Sequence, residues 1–259
     1  MNISMRITSR ENPLVKQICS LQTSAKARRE SGLFLLEGLR ICKDAYENGI
    51  RFEKLVVSDG AAGKYAEEIS LLSGSAEQCV NVTDELFKKM SDTDSPQGIM
   101  ALTAIPEKKM SPSKGGRYIG LENLADPSNL GAVSRTAEAL GVSGMVLCGC
   151  TDPYSPKALR ASMGTLLRVP LYFSDNLIDT AKNCVLRSIA CVVDRQARSV
   201  ASVDFCDGDL LMIGNEANGL TENTKKSADI SITVPMAGRA ESLNAAAAAA
   251  IVMWEMMRR

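Results

Sequence analysis

A chain of 259 residues can bury one large hydrophobic core or two ordinary ones, and its 30 Lys and Arg against 30 Asp and Glu exclude the strong positive field of a non-specific nucleic-acid coat protein. Histidine is absent, which removes the usual general base, the Ser-His and Cys-His nucleophile pairs and the commonest zinc ligand; any catalysis runs on other groups, and no metal is expected. The eight cysteines form no CxxC pair, no signal-peptide pattern is present and no apolar run reaches the roughly 18 residues of a membrane span, so the chain reads as a cytoplasmic protein with reduced thiols and no membrane segment.

Positive charge gathers at the start: residues 1–54 carry 10 basic and 6 acidic side chains, residues 55–107 carry 3 and 9, and the remainder 17 and 15. In this half the apolar runs "GLFLL" and "FEKLVVS" alternate with the helical pattern "EGLRICKDAYENG", and "GIMALTA" closes it, predicting a small α/β domain over 1–107. The polar stretch "IPEKKMSPSKGGRY" holds two prolines and a Gly-Gly and predicts a linker at 108–116. Within 117–259, "RYIGLE", "GMVLC", "SIACVVD", "DLLMIG" and "DISITV" predict buried strands, with helical patterns at 129–140, 156–163, 175–187 and 242–258. Near-continuous apolar strands between helices predict a mostly parallel sheet covered on both faces. Cys148-Gly-Cys150 is the one thiol pair whose spacing keeps a metal or redox role open.

Ligands of such sheets sit beyond the carboxyl ends of the strands, which singles out the loops 122–130, 214–221 and 235–243. In the first, Asn129 is either a turn or cap residue or a ligand-facing amide, and Arg135 on the following helix is either solvated or functional. In the second, "IGNEANGLT", two glycines permit unusual backbone angles and Glu216 is in solvent or in a site. In the third, Ser242 either caps the final helix, with Asn244 pointing outward, or both serve a site. Six consecutive alanines follow, a helix bare enough for another backbone to lie close.

Together, "DPSNLGAVSRTAEALG", "GNEANGL" and "VPMAGRAESLNAA" resemble the three signature motifs of the SpoU (TrmH-like) family of RNA ribose 2'-O-methyltransferases, of the SPOUT class, over the whole of 117–259. "ITSRENPLVKQICSL", "FLLEG" and "SPQGIMAL" look like the RNA substrate-binding domain, related to a ribosomal-protein fold, that precedes the catalytic domain in many members. The resemblance implies a deep trefoil knot whose loops form an S-adenosylmethionine pocket, with Gly214, Val234, Met236 and Leu243 at the matching cofactor positions. It implies catalytic roles for five residues: Arg135 acts on the 2'-hydroxyl with help from a substrate phosphate, Asn129 orients ribose or phosphate, Glu216 holds Arg135, and Ser242 and Asn244 complete the hydroxyl site. Because arginine is a pure donor, the role weighted here is a clamp on phosphate and developing charge, not a base.

The family also implies a homodimer, with Arg135 facing the partner's knot, and an RNA substrate, ribosomal RNA ahead of transfer RNA. A non-catalytic RNA-binding protein of the same fold is the alternative from another class. Dinucleotide and P-loop enzymes are excluded by the missing GxGxxG and GxxxxGK[ST] fingerprints. Members commonly continue Ser-Leu-Asn with Val-Ser where this chain has Ala245-Ala246, one hydroxyl fewer near the pocket. Arg6, Arg10, Lys16, Lys26, Arg28, Arg29 and Arg40 are candidates for part of the RNA footprint, against an ordinary solvated face.

Overall fold

The computed structural model describes residues 5–107 and 111–258, so the first three residues of the expected linker, 108–110, lie outside the described residues. Two compact units emerge, one of the residues up to Pro106 with Tyr154–Arg160, the other of Glu107–Pro153 with Ala161–Arg259. No helix among the described residues is long and apolar enough to cross a membrane.

The first unit has strands β1 (Met5–Ile7), β2 (Leu33–Glu37), β3 (Phe52–Ser58), β4 (Ala76–Val82) and β5 (Ile99–Ala104), in the order β1-β4-β3-β5-β2. β4 runs parallel to β1 and β3, while β5 runs antiparallel to β2 and β3. Helices α1 (Pro13–Thr23), α2 (Ala25–Ser31), α3 (Leu39–Glu47), α4 (Asp59–Lys64), α5 (Ala66–Ser73) and α6 (Asp84–Met90) complete it. α1 starts where the sequence permits, with Asn12 accepting from the Leu14 amide and Pro13 at the first position. β2 and β5, read as apolar runs, are buried up to their last residues; β4 escaped that reading because the first three residues of "AEQCVNV" are only partly buried or exposed.

The second unit is a seven-stranded sheet of β6 (Tyr118–Glu122), β7 (Gly144–Cys148), β8 (Leu171–Ser174), β9 (Arg187–Cys191), β10 (Arg198–Ser199), β11 (Asp209–Ile213) and β12 (Ile230–Thr233). Their order is β10-β12-β9-β11-β6-β7-β8, and every registered pair is parallel, as the apolar strand runs predicted. Its helices are α7 (Pro127–Leu140), the end of α8 (Pro156–Ser162, whose residues up to Arg160 belong to the first unit), α9 (Leu177–Asn183), α10 (Glu222–Ser227) and α11 (Ala245–Met257). The predicted helix at 175–187 is shorter because Asn176 caps it and Val185 takes a left-handed φ of 55° just past its end. β8 and β10 lie at the two edges, and α10 is a polar six-residue helix capped by Thr221, so none of the three carries a strong apolar period.

α7 is anchored at both ends: Asp126 accepts from the Ser128 amide with Pro127 at the first position, and Gly141 closes it at φ 75°. A side chain at Gly131 would place its Cβ 2.6 Å from that of Ala161, so the end of α8 lies hard against this helix. α11 packs on α7 as well.

Candidate active site

β9, β11 and β12 end together at one cleft of about 630 Å³. All four expected cofactor positions, Gly214, Val234, Met236 and Leu243, line it, together with Glu216 and Ser242. Cys191 to Asp194, at the end of β9, line it too and were missed, since nothing in "CVVD" marks a loop that bends toward the other two. Gly214 is required by geometry: the chain doubles back as Asn215 and Gly219 exchange backbone hydrogen bonds of 3.0 and 2.9 Å, and a Cβ at Gly214 would lie 2.0 Å from the Gly219 carbonyl carbon and the Leu220 nitrogen. Gly219 makes that turn in the left-handed region, at φ 66°.

Beside the cleft, side chains from all three loops form one hydrogen-bonded chain. The Glu216 carboxylate receives four donors: the Asp126 amide (3.0 Å) and Asn129 Nδ2 (2.9 Å) on Oε1, and the Ala125 amide (3.1 Å) and Asn215 Nδ2 (3.3 Å) on Oε2. Asn129, only 9% exposed, accepts on its Oδ1 from Asn244 Nδ2 at 3.1 Å. Asn244 Oδ1 in turn accepts from the Ala246 and Ala247 amides and is the N-cap of α11. The cap of the alanine helix is therefore Asn244, not Ser242. Burial pushes the Glu216 carboxyl up, but the bonds from Asn129 and the Asp126 and Ala125 amides outweigh it and hold the group below the usual glutamate range.

The expected contact between Glu216 and Arg135 is absent. A carboxylate offers about four acceptor positions and Glu216 fills them with amides, so its task is to pin Asn129 and the first loop. Arg135 stands apart on α7, exposed, with no hydrogen bond or ion pair among the described residues, and it does not line the cleft of its own chain. Ser242 is exposed on the cleft wall with its hydroxyl likewise unpaired among the described residues. The structure thus brings together Asn129, Glu216 and Asn244, places Ser242 on the cleft and leaves Arg135 outside.

All eight cysteines are free thiols. Burial pushes Cys150 up to about 11, its Sγ donates to the Leu121 carbonyl at 3.1 Å, and burial raises Cys148 as well, so this pair has no thiolate character at neutral pH.

In the first unit the basic candidates divide. Arg6 pairs with Asp59 at 2.8 Å, Arg10 with Glu85, Lys16 with Glu11 and Lys26 with Glu30, all at the surface where such pairs are weak and exchangeable. Arg28 is not part of a surface footprint: it is 4% exposed and its guanidinium donates to the Leu21 and Gln22 carbonyls near the end of α1. Arg29 and Arg40 are exposed and unpaired among the described residues.

Comparison with known proteins follows this division. Residues 116–254 match the SpoU rRNA Methylase family, and residues 12–101 match the MRM3-like substrate binding domain. The chain belongs to the SpoU rRNA methylase family. It is 31% identical to the 23S rRNA (uridine(2479)-2'-O)-methyltransferase of Streptomyces viridochromogenes over 98% of this chain and 92% of that one. With the 23S rRNA (guanosine(2553)-2'-O)-methyltransferase RlmP of Bacillus subtilis it shares 27% identity over 97% and 98% of the two chains. The crystal structure of an AdoMet-bound rRNA methyltransferase from Sinorhizobium meliloti superposes with a TM-score of 0.84 at 29% identity, covering 98% of this chain and 97% of that one. Among these SpoU relatives the modified base differs, uridine in one and guanosine in another, so family membership alone leaves the target nucleotide open.

Proposed function

We propose that this SpoU-family chain transfers a methyl group from S-adenosylmethionine to a ribose 2'-hydroxyl of ribosomal RNA. The observation that carries the reading is the convergence of three separate motifs: the four expected cofactor positions line one cleft at the strand ends, and Asn129, Glu216 and Asn244 join into one hydrogen-bonded chain beside it. The cleft suits the cofactor chemically, with apolar side chains Ile213, Leu220, Val234, Met236 and Leu243 for a purine and thioalkyl chain, and loop backbone at 214–219 for polar edges. Asp194, Glu216 and Glu241 against Lys225 give that wall a negative balance, favourable to a sulfonium and an ammonium. When bound, S-adenosylmethionine supplies the electrophilic methyl group.

The chain's own groups do the rest. Arg135 holds a substrate phosphate and stabilises negative charge developing on the ribose oxygen, its guanidinium acting as a donor throughout. Ser242 offers its free hydroxyl at the cleft wall, and Asn129 and Asn244 keep the first and third loops in register. Residues 1–107 form the RNA-binding domain, of ribosomal-protein type, and 117–259 the methyltransferase domain.

The active enzyme is a homodimer with a composite site. Two features support this. Arg135 and Ala139 form the open face of α7 and do not reach their own cleft, while Ala247, Ile251 (39% exposed) and Trp254 (56%) line one face of α11 at spacings of four and three. A second copy seated there would bring Arg135 to its neighbour's cleft. The deep trefoil knot is supported by β12 lying between β9 and β10 while the chain after it crosses back to α7. A cytoplasmic location suits the free thiols. Mapping of 2'-O-methyl positions across ribosomal and transfer RNA with and without the gene tests the reading: loss of one ribosomal site is expected, and an unchanged map would sink it.

A further inference from the structure

Asn215 follows Gly214 at the end of β11, and its amide is fully spent on the protein. Oδ1 accepts from the Ala217 and Asn218 amides at 3.0 and 3.1 Å, and Nδ2 donates to the Asn123 carbonyl at 2.8 Å and to Glu216 Oε2 at 3.3 Å. A primary amide has two N–H donors and two lone pairs, so nothing remains for a ligand although the residue lines the cleft. Its acceptor side shapes the loop behind Gly214. Its donor side ties that loop to Asn123, itself left-handed at φ 57° beyond β6, and to the Glu216 carboxylate.

We propose that Asn215 is a positioning residue for methyl transfer: it fixes the Glu216 carboxylate, and through it Asn129 and Asn244, without touching substrate or cofactor. The proposal rests on the function given above. The geometry demands a side chain that accepts on one side and donates on the other at this length. Aspartate keeps the bonds to the Ala217 and Asn218 amides but sets an acceptor against Glu216; alanine loses both sides. Other ionisable groups near the loop are Asp126 and Cys150 behind it, Glu122, which accepts from Thr221 at the loop's far end, and Cys191, Asp194, Glu241 and Lys225 along the cleft. Burial keeps the Cys150 thiol neutral near pH 7, so the nearest charge to Asn215 is Glu216.

The test compares full-length wild type with Asn215→Asp, using ribosomal RNA from a strain lacking the gene as methyl acceptor. The introduced carboxylate keeps the bonds from the Ala217 and Asn218 amides but repels Glu216 where the amide donated to it. At about pH 7.5 kcat is therefore expected to fall by about tenfold, the effect of one lost hydrogen bond, while KM for S-adenosylmethionine and the folded fraction by circular dichroism stay within about threefold. An unchanged kcat, a rise in KM with kcat unchanged, or a loss of activity that only follows the folded fraction would overturn the proposal, because a dispensable residue, a ligand contact or a merely structural residue behaves in those ways. A second readout is independent of turnover: the side-chain NH2 resonances of Asn129 and Asn244 in Asn215→Asp should shift from their wild-type positions. Were the wild type to transfer no methyl group, the function would fail while these resonances still decide the clamp, and immobile resonances would refute it.

Discussion

Two parts of α7 and its surroundings handle polar groups in opposite ways. Around Glu216, Asn215, Asn129 and Asn244 satisfy one another and the backbone until the carboxylate and the Asn215 amide have no capacity left. Further along the same helix Arg135 is exposed and bound to nothing among the described residues. A group whose hydrogen bonds are all made inside the protein shapes a site, whereas a charged fork left open is available to a substrate. The family resemblance counts Arg135, Asn129, Glu216 and Asn244 alike as catalytic; the bonding separates groups spent within the protein from the one left open.

The largest effect should come from the open side of that contrast. If Arg135 clamps the substrate as proposed, Arg135→Ala removes a donor with no partner among the described residues, so methyl transfer should fall by about two to three orders of magnitude while thermal stability and cofactor affinity hold. Arg135→Lys keeps the charge without the planar fork and should stay badly impaired. Steady-state kinetics beside calorimetry and a melting curve decide it: a destabilised Arg135→Ala protein whose activity falls only with its folded fraction would move Arg135 to the frame.

Glu216 should answer in the opposite sense. Its folded-state carboxyl lies below the ordinary value of 4.5, so the ionised form is the one the fold prefers. A depressed acid contributes stability that is fully present above the unfolded value and is lost as pH falls through the folded one. Urea midpoints should therefore drop below about pH 4.5, and Glu216→Gln should flatten part of that drop while lowering stability at pH 7. Turning an amide N–H against those donors costs about 1 kcal/mol, the low end for a charged hydrogen bond because the side chain is solvent-exposed, or roughly 2 to 4 °C in Tm. Unchanged acid sensitivity would make Glu216 dispensable to the frame.

How much of this the chain reveals unaided follows from where the information lies. β6, β7, β9 and β11 could be read from apolar runs, and the three loops from the rule that parallel sheets present ligands at their strand ends. Edge strands such as β8 and β10 could not, because half-covered positions weaken the apolar pattern. Gly214, Val234, Met236 and Leu243 were legible because the motifs name them. Asn215 was not, since its meaning lies in Asn123, 92 residues earlier in the chain, and in Glu216, which only folding brings into register with it. Likewise "KARR" reads as uniform positive charge until α2 turns Arg28 inward and leaves Arg29 out.

That last difference gives the smallest expected effect and repeats the contrast within two adjacent residues. Arg28 is spent on the Leu21 and Gln22 carbonyls, whereas Arg29 and Arg40 are open, and only open cations can release counterions from RNA. Arg29→Glu with Arg40→Glu should leave the fold intact, weaken binding to ribosomal RNA and reduce the slope of log K against log salt by about 0.7 to 0.9 for each phosphate that is no longer neutralised. Arg28→Glu should instead unseat the end of α1 and lower stability, because it buries a carboxylate against two carbonyl oxygens. If the double variant keeps the wild-type salt slope, Arg29 and Arg40 are ordinary surface and the RNA footprint lies elsewhere. If Arg28→Glu changes the slope without changing stability, its burial is not what removes it from the footprint, and the rule drawn from Glu216 and Arg135 would not extend to the first unit.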